Sequence, residues 1–369
     1  MSEVERPELR ALTGARGIAA WMVVMFHLRL SIAGLSPDML AVFGKGYLAV
    51  DFFFLLSGFV IWMTWVDRIR LQGWKVAPHF LQKRIARIWP LHGFMLAVAL
   101  LLAGLFLALD RPPPFKAPLA ELPLHILLLQ NWGFTSGLSW NDPSWSISCE
   151  LGAYLLFPLL ALGIDWRRMP TPAIVAAIGA FLVILHAVMA DGGALTLGTD
   201  ITRFGLLRCA LEFASGSAIC ALWMRWRHAP AVPGWSAAVL AAGFFFAWLG
   251  GLLPETLAVP ASFACLLLAL ALSCGARGNV LETTPIHYLG EISYATYLGH
   301  FLLFAIFKLA FVDDPRAIPP VLVALFLVMV LMSSIALYHL VERPGQRGVN
   351  ALTLPGRSRK IAAKVSRSS

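Results

Sequence analysis

The chain has 369 residues, of which 59% are hydrophobic and 13% charged, and its mean hydropathy is +0.75. Soluble domains carry about 25% charged residues, so this composition excludes a soluble protein and predicts an all-α integral membrane protein. The net charge of +9 is compatible with a nucleic-acid partner. However, the basic residues lie between apolar runs and in the C-terminal tail, which is typical of membrane topology, and we expect no nucleic acid. The five cysteines form no C-x-x-C pair, so neither a disulfide framework nor a metal site is expected.

Ten apolar runs are long enough to cross a bilayer, and together they predict one helical bundle. They are residues 17–35, 48–66, 88–109, 144–163, 172–190, 206–224, 235–251, 257–274, 292–312 and 318–341. Residues 119–131 form a further run that, at about 1.5 Å per residue, is too short to cross comfortably. We expect a re-entrant or interfacial segment there. We predict one transmembrane domain over residues 1–345 and a basic, disordered cytoplasmic tail over 346–369.

The lysines and arginines predict the orientation of the bundle. With the N-terminus in the cytoplasm, 21 of the 29 basic residues fall on the cytoplasmic side. A crossing by residues 119–131 would move four of them outside: Arg167, Arg168, Arg225 and Arg227. The positive-inside rule therefore predicts both termini in the cytoplasm. The first run lacks a small-residue cleavage site and is predicted to be a retained helix of a multi-pass plasma (inner) membrane protein.

The first run carries two ionisable residues, Arg16 and His27. Eleven helical residues at about 100° each make three turns plus roughly 20°, so both side chains share one face, roughly 16 Å apart along the axis. Ionisable groups inside a membrane are costly, and they indicate function. Taken singly, Arg16 fits an interfacial anchor and His27 a hydrogen-bonded core histidine. On one shared face they favour a charge near one surface and an acid–base group deep in the bilayer, serving one extended ligand.

The second run offers polar candidates near its outer end and its middle. Asp51 lies near the outer end, where facing interfacial water is the alternative to a role in a site. Ser57 and Gly58 lie nearer the middle, where small residues also serve close helix packing. These residues are therefore candidates for a supporting role as well as for the site.

Arg84 and Arg87 precede the third run, three residues apart and therefore neighbours on a helix. Two arginines so placed can clamp a phosphate or diphosphate. A plain positive-inside flank is the alternative. Six basic residues between positions 67 and 87 are more than orientation needs, and this favours the phosphate interpretation.

Glu150 lies at the predicted outer entry of the fourth full run. Directed into the bundle, its carboxylate would orient His27 or activate an acceptor hydroxyl, whereas an exposed carboxylate would not indicate a functional role. Trp145 fits either an interfacial anchor or a stacking surface for a sugar ring. Weaker candidates lie later in the chain: Ser293, Tyr294, Tyr297, His300 and the Glu342-Arg343-Pro344 segment.

These blocks, in this order, resemble the acyltransferase family 3 membrane proteins. The matching blocks are Arg16 with His27, residues 52–59 (FFFLLSGF), Arg84-x-x-Arg87, residues 145–150 (WSISCE), residues 293–300 (SYATYLGH) and residues 342–344 (ERP). The resemblance spans nearly the whole chain. One departure is Cys149-Glu150-Leu151-Gly152, where the family more often shows paired acidic residues followed by glutamine.

The resemblance implies a ten-helix enzyme that takes an acyl group, usually acetyl, from cytoplasmic acyl-CoA. The enzyme passes this group to a hydroxyl of a glycan, a lipid-linked sugar or a natural product. It makes His27 the catalytic histidine, with Arg16 as its companion, and assigns Arg84 and Arg87 to the donor side. Residues Trp145, Ser148 and Glu150 correspond to a block near the acceptor.

We therefore expect a membrane-bound O-acyltransferase with acyl-CoA, as acetyl-CoA, for its co-substrate and membrane lipid around it. Its acceptor is expected to be a cell-surface carbohydrate or a lipid-linked glycan. The predicted site comprises catalytic His27 and Glu150, donor-binding Arg16, Arg84 and Arg87, and the acceptor-side or supporting residues Asp51, Ser57, Trp145, Ser148 and Tyr297. His27 acts either as a base or as an acyl carrier, and the sequence leaves both open.

Two other functions remain open at this stage. One is acylation of a small hydrophobic natural product such as a macrolide. The other is a non-enzymatic transporter, flippase or sensor, since an apolar bundle with intramembrane charges suits these as well. Against a transporter, the chain shows no inverted repeat with broken helices.

Overall fold

The protein is described from a computed structural model, and the structure describes residues 8–352. Within this range the chain forms fourteen α-helices and a π-helical turn (Tyr338–Glu342). The helices are α1 (Arg10–Leu28), α2 (Pro37–Gly44), α3 (Ala49–Gln72), α4 (Ala77–Ala108), α5 (Leu122–Leu127), α6 (Ser144–Gly163), α7 (Thr171–Asp191), α8 (Ile201–Trp226), α9 (Ala231–Leu249), α10 (Glu255–Leu272), α11 (Thr284–Glu291), α12 (Ser293–Phe311), α13 (Pro320–Leu337) and α14 (Arg343–Ala351). Extended pairing in the same range is limited to an isolated bridge between Ile32 and Ile318.

Nine helical stretches of the described residues are long and apolar enough to cross a membrane. One of them, Pro37–Ala108, contains both α3 and α4, which a 3₁₀ turn (Gly73–Val76) separates. The described chain therefore has ten helices of 18 residues or more: α1, α3, α4, α6, α7, α8, α9, α10, α12 and α13. This confirms the predicted all-α integral membrane fold.

Residues 119–131 do not form a membrane-spanning helix. They contain a short 3₁₀ turn and the six-residue helix α5, which at about 1.5 Å per residue is far shorter than a bilayer. Leu128 ends α5 in the left-handed conformation, with φ of 58°. The segment is held against α4, where His92 Nε2 donates to His125 O at 2.8 Å. The structure thus agrees with the prediction of a short, non-crossing segment.

The backbones of helices α3 and α8 approach each other closely. A Cβ atom built on Gly58 would lie 1.9 Å from Phe213 O, and one on Gly216 would lie 1.8 Å from Leu55 O. Only glycine permits this approach, since either contact is far inside van der Waals distance. Gly58 thus serves packing, as its sequence context allows, and it holds the neighbouring Ser57 at a fixed position.

The first and third predicted spans begin earlier in the structure than the apolar runs do. Helix α1 begins at Arg10 instead of residue 17, and α4 begins at Ala77 instead of residue 88. Arg16 therefore lies inside α1, and Arg84 and Arg87 lie on α4 itself. We call the end of the bundle where α1 and α4 begin and α3 ends the basic end. In the predicted tail, residues 346–351 belong to α14, and residues 353–369 lie outside the described residues.

Candidate active site

A cavity of about 160 Å³ lies between α1, α3, α4, α6 and α12. Its apolar lining comes mainly from α3. Its polar lining consists of Arg16, Ser57, Arg84, Arg87, Ser146, Glu150, Tyr154, Ser293, Tyr294 and Tyr297. Six of the ten predicted site residues are among them: Arg16, Ser57, Arg84, Arg87, Glu150 and Tyr297. Helix packing thus brings together residues that are up to 281 positions apart in the sequence.

Arg16 is fixed at the cavity wall by the end of α11 and the start of α12. Its Nε donates to Ser293 Oγ at 2.9 Å and to Gly290 O at 3.2 Å, and its Nη2 donates to Gly290 O at 2.7 Å. These acceptors are neutral, so the positive charge of the guanidinium is not cancelled by them. The charge remains available to a ligand in the cavity.

Arg84 and Arg87 face the same cavity but differ in their partners. Arg87 forms an ion pair with the buried carboxylate of Glu342, which comes from the π-helical turn after α13. Arg84 lies 6.0 Å from the ring centre of Tyr154, and its buried Nε makes no hydrogen bond within residues 8–352. Buried donors are usually paired. Arg84 therefore offers an unused donor and an uncompensated charge beside the cavity.

Glu150 points into the bundle and reaches this cavity from α6. Ser57 Oγ donates to its Oε1 at 2.5 Å. Tyr154 lies one turn further along the same helix and lines the same cavity. Three guanidinium groups thus line the cavity together with one carboxylate, that of Glu150, while Glu342 pairs with Arg87 from outside the lining. This excess of positive groups favours an anionic ligand.

His27 lies outside the cavity lining, one residue before the end of α1. Its Nδ1 is 3.0 Å from Val23 O and 3.1 Å from Nε2 of His300 on α12. Glu150, which was predicted either to orient His27 or to activate an acceptor hydroxyl, makes no hydrogen bond to His27 in the described part of the chain, and the Nδ1 contacts of His27 are with Val23 and His300. The cavity and His27 are linked through Tyr297, which lines the cavity and whose ring centre is 6.4 Å from that of His300.

The structure does not bring Asp51, Trp145 or Ser148 to the cavity lining. Asp51 is fully buried and accepts from Arg208 Nη2 at 2.7 Å. Trp145 is 7% exposed and packs over the same arginine at 5.5 Å, which leaves no open face for a sugar ring. Ser148 Oγ donates to Leu128 O at 2.8 Å and holds the short segment after α5. These contacts give all three a supporting position between helices.

Several residues of this region were not selected by the sequence analysis or were only weaker candidates in it. Arg208 and Glu212 are both buried on α8, and a basic and an acidic residue four apart in an apolar run would have indicated such a polar cluster. Tyr154 follows Glu150 by four positions, and His300 follows Ser293 by seven. Both spacings place the second residue on the face of the first. No group of His, Cys, Asp and Glu suited to a metal ion occurs within residues 8–352.

Comparison with known proteins identifies the chain at the level of its family. The model of the acyltransferase domain of family 3 matches residues 9–339. The acyltransferase MdmB of Streptomyces mycarofaciens is 31% identical over 328 residues, which cover 80% of this chain and 79% of MdmB. The exopolysaccharide production protein ExoZ of Rhizobium meliloti is 29% identical over 330 residues, which cover 87% of this chain and 94% of ExoZ.

A further relative is considerably longer than the part that matches. The peptidoglycan O-acetyltransferase OatA of Listeria monocytogenes is 25% identical over 345 residues, which cover 80% of this chain and 49% of OatA. No solved structure gives a significant match. The family model covers most of the chain, and the chain therefore belongs to acyltransferase family 3 and is a membrane-bound acyltransferase.

Proposed function

We propose that the protein is an O-acyltransferase of the plasma (inner) membrane that moves an acetyl group from cytoplasmic acyl-CoA to a hydroxyl of a carbohydrate. The observation that carries this proposal is the convergence of Arg16, Arg84 and Arg87 on one cavity, beside the same helix α1 that presents His27 at its other end. This arrangement suits a long ligand that is anionic at one end and reactive at the other.

The three arginines suit the phosphates of coenzyme A. Guanidinium groups bind phosphate through planar forks of N–H donors. A cavity of about 160 Å³ is smaller than most small-molecule sites, which measure roughly 300–1,000 Å³. We therefore place a segment of the pantetheine arm in the cavity, the diphosphate at the arginines of its lining, and the adenosine outside the cavity, at the basic end. The positive-inside rule puts that end in the cytoplasm, where acyl-CoA is found.

His27 supplies the base. A carbonyl oxygen only accepts hydrogen bonds, so the contact with Val23 O places the ring hydrogen on Nδ1 and leaves a lone pair on Nε2 of a neutral imidazole. Nε2 takes the proton of the acceptor hydroxyl while the oxygen attacks the thioester carbon. The C–S bond then breaks, and the departing thiolate of coenzyme A takes the proton from His27. A route through an acylated Nε2 uses the same lone pair.

The acceptor class rests on the relatives. OatA is a peptidoglycan O-acetyltransferase and ExoZ is an exopolysaccharide production protein, and both names point to polysaccharide chemistry. We therefore propose a cell-surface or lipid-linked carbohydrate as the acceptor. Glu150 and Ser57 remain proposed participants, since both line the cavity in which the donor is placed.

Membranes from cells that express the protein test the proposal. Labelled acetyl from acetyl-CoA is expected to appear as an ester on a carbohydrate fraction, and His27→Ala is expected to abolish transfer while the protein stays in the membrane. Mass spectrometry of surface glycans from cells with each variant identifies the acceptor. Full activity of His27→Ala would refute the catalytic role of His27. Label found only on a hydrophobic alcohol would show that the acceptor is a natural product and not a carbohydrate.

A further inference from the structure

We infer that His300 is a positioning residue that fixes the tautomer and orientation of His27. This inference rests on the proposed function, because it explains how the base is prepared. It depends on the contact between α1 and α12 at the end of α1 opposite Arg16. There, Nε2 of His300 lies 3.1 Å from Nδ1 of His27.

The hydrogen bonds around the two rings have one consistent direction. Nδ1 of His300 lies 3.0 Å from Thr296 O, and a carbonyl only accepts, so this nitrogen carries the hydrogen. A neutral imidazole has a single N–H, and Nε2 of His300 must therefore accept. The donor is Nδ1–H of His27, which also points at Val23 O at 3.0 Å. Two backbone carbonyls and one imidazole thus assign the hydrogen of His27 to Nδ1.

The same contacts decide which of the two histidines is the base. His300 is 1% exposed, and both of its ring nitrogens are engaged. His27 is only partly buried, and its Nε2 makes no hydrogen bond to any residue in the described part of the chain. The free lone pair is therefore on His27, and His300 acts through it.

The orientation of the His27 ring is restricted as well as its tautomer. Phe26 and Phe301 place their rings edge-on to it, with ring centres 5.1 Å and 5.7 Å away. His300 lies on the face of α12 that also carries Ser293, the partner of Arg16. One helix therefore fixes both the donor-side arginine and the base. Sites built on helices in this way hold their geometry better than sites on loops.

Two substitutions of His300 distinguish a role in orienting His27 from a role in helix packing alone. His300→Phe keeps a planar ring but has no acceptor for His27, whereas the amide oxygen of His300→Gln can take the place of Nε2. Removal of a group that orients a metal-ligating histidine costs about 10- to 100-fold, and we take the same order of magnitude for His300. We expect His300→Phe to lower kcat by that factor, with the KM for acetyl-CoA unchanged within about twofold because the cavity arginines stay in place. His300→Gln is expected to recover about tenfold of the loss.

The matched control is His186→Phe. His186 also joins two helices, through a 2.7 Å contact between its Nδ1 and Thr256 Oγ1, but it does not contact His27. This variant is expected to keep the wild-type kcat. Gel filtration of each solubilised variant and its binding of acetyl-CoA report whether it is folded. If His300→Phe aggregates, His300→Asn replaces it, since the shorter amide reaches Thr296 O but not His27.

The inference is overturned if His300→Phe stays within twofold of the wild-type kcat, or if His300→Gln is as slow as His300→Phe. Failure of the proposed function looks different: the wild type does not transfer acetyl from acetyl-CoA, or His27→Phe is fully active.

Discussion

Arg84 and Arg87 are adjacent on α4 and line the same cavity, but their substitution should have different consequences. Arg87 is paired with Glu342, whereas Arg84 has no carboxylate at ion-pair distance among the described residues. We therefore expect Arg84→Gln to weaken donor binding alone. Arg87→Gln should weaken donor binding and also destabilise the protein, because it leaves the buried carboxylate of Glu342 without its partner.

The size of each effect follows from the contacts. A hydrogen bond to a charged group contributes about 1.5–3 kcal/mol. Glutamine keeps one donor, so we take the lower end for both variants, a rise of about tenfold in the KM for acetyl-CoA. Breaking a buried ion pair costs about 3–5 kcal/mol. Because the Arg87 side chain is 25% exposed, water offsets part of this, and we expect a loss of about 1–3 kcal/mol in the free energy of unfolding.

Donor and acceptor KM values from labelled acetyl transfer, with thermal unfolding of the solubilised protein, provide the measurements. Lys83→Gln is the matched control, since Lys83 belongs to the same basic segment but does not line the cavity. Combining Arg87→Gln with Glu342→Gln should restore stability without restoring donor affinity. The assignment is refuted if the arginine variants change only the acceptor KM, or if Lys83→Gln raises the donor KM as much as they do.

Three further predictions concern other parts of the bundle. Under the proposed function, Glu150→Gln should lower the KM for acetyl-CoA by about two- to fivefold, because it removes a carboxylate that would repel the phosphates of the proposed donor, whereas Ser57→Ala leaves that charge and should not. Gly58→Ala should lower the melting temperature, since its Cβ would meet a backbone carbonyl of α8 at 1.9 Å, while Gly104→Ala, with no atom within 4 Å, should not. Burial, and then a neighbouring histidine, lower the pKa of His125 from 6.5 to about 4. Unfolding of residues 119–131 therefore takes up a proton between pH 6.5 and 4. The stability of this segment is fully present above pH 6.5 and falls as the pH drops towards 4. His125→Phe should reduce this pH dependence, measured as the protection of the segment's amides against hydrogen exchange.

The number of long helices could be predicted because each apolar run is bounded by polar residues, but the ends of the runs are not the ends of the helices. A hydropathy reading starts the first span at residue 17, after Arg16. The structure continues the helix back to Arg10, because Gly290 O and Ser293 Oγ accept from the Arg16 guanidinium inside the bundle. These partners lie more than 270 positions away, and no local pattern reveals them. Helix α4 likewise begins before its apolar run, because its basic first turns pack into the protein.

The candidate site was predictable only in part, because the sequence shows where charges lie along the chain but not which helices bring them together. Charge counting places Arg16, Arg84 and Arg87 at one end of the bundle, and the structure gathers them in one cavity. Charge counting could not show that Glu150 reaches that cavity, because the direction of its side chain depends on how α6 packs against α3. Nor could it pair His27 with His300. Their contact depends on the register between two helices, which is set by tertiary packing.

That register also bears on how the proposed donor would be selected. Arg16 contacts the start of α12, and His27 contacts the same helix about two turns later, so the two helices run in the same direction and fix both ends of the site. The separation of about 16 Å along α1 is therefore set by helix geometry and not by loops. A ligand held by its phosphates at the arginines reacts only if its acyl carbon lies at the matching distance. Inorganic phosphate, or a short acyl phosphate, would satisfy the arginines without reaching Nε2 of His27, whereas a thioester at the end of a long arm would reach it. Under the proposed function, the site thus selects its donor by length as well as by charge.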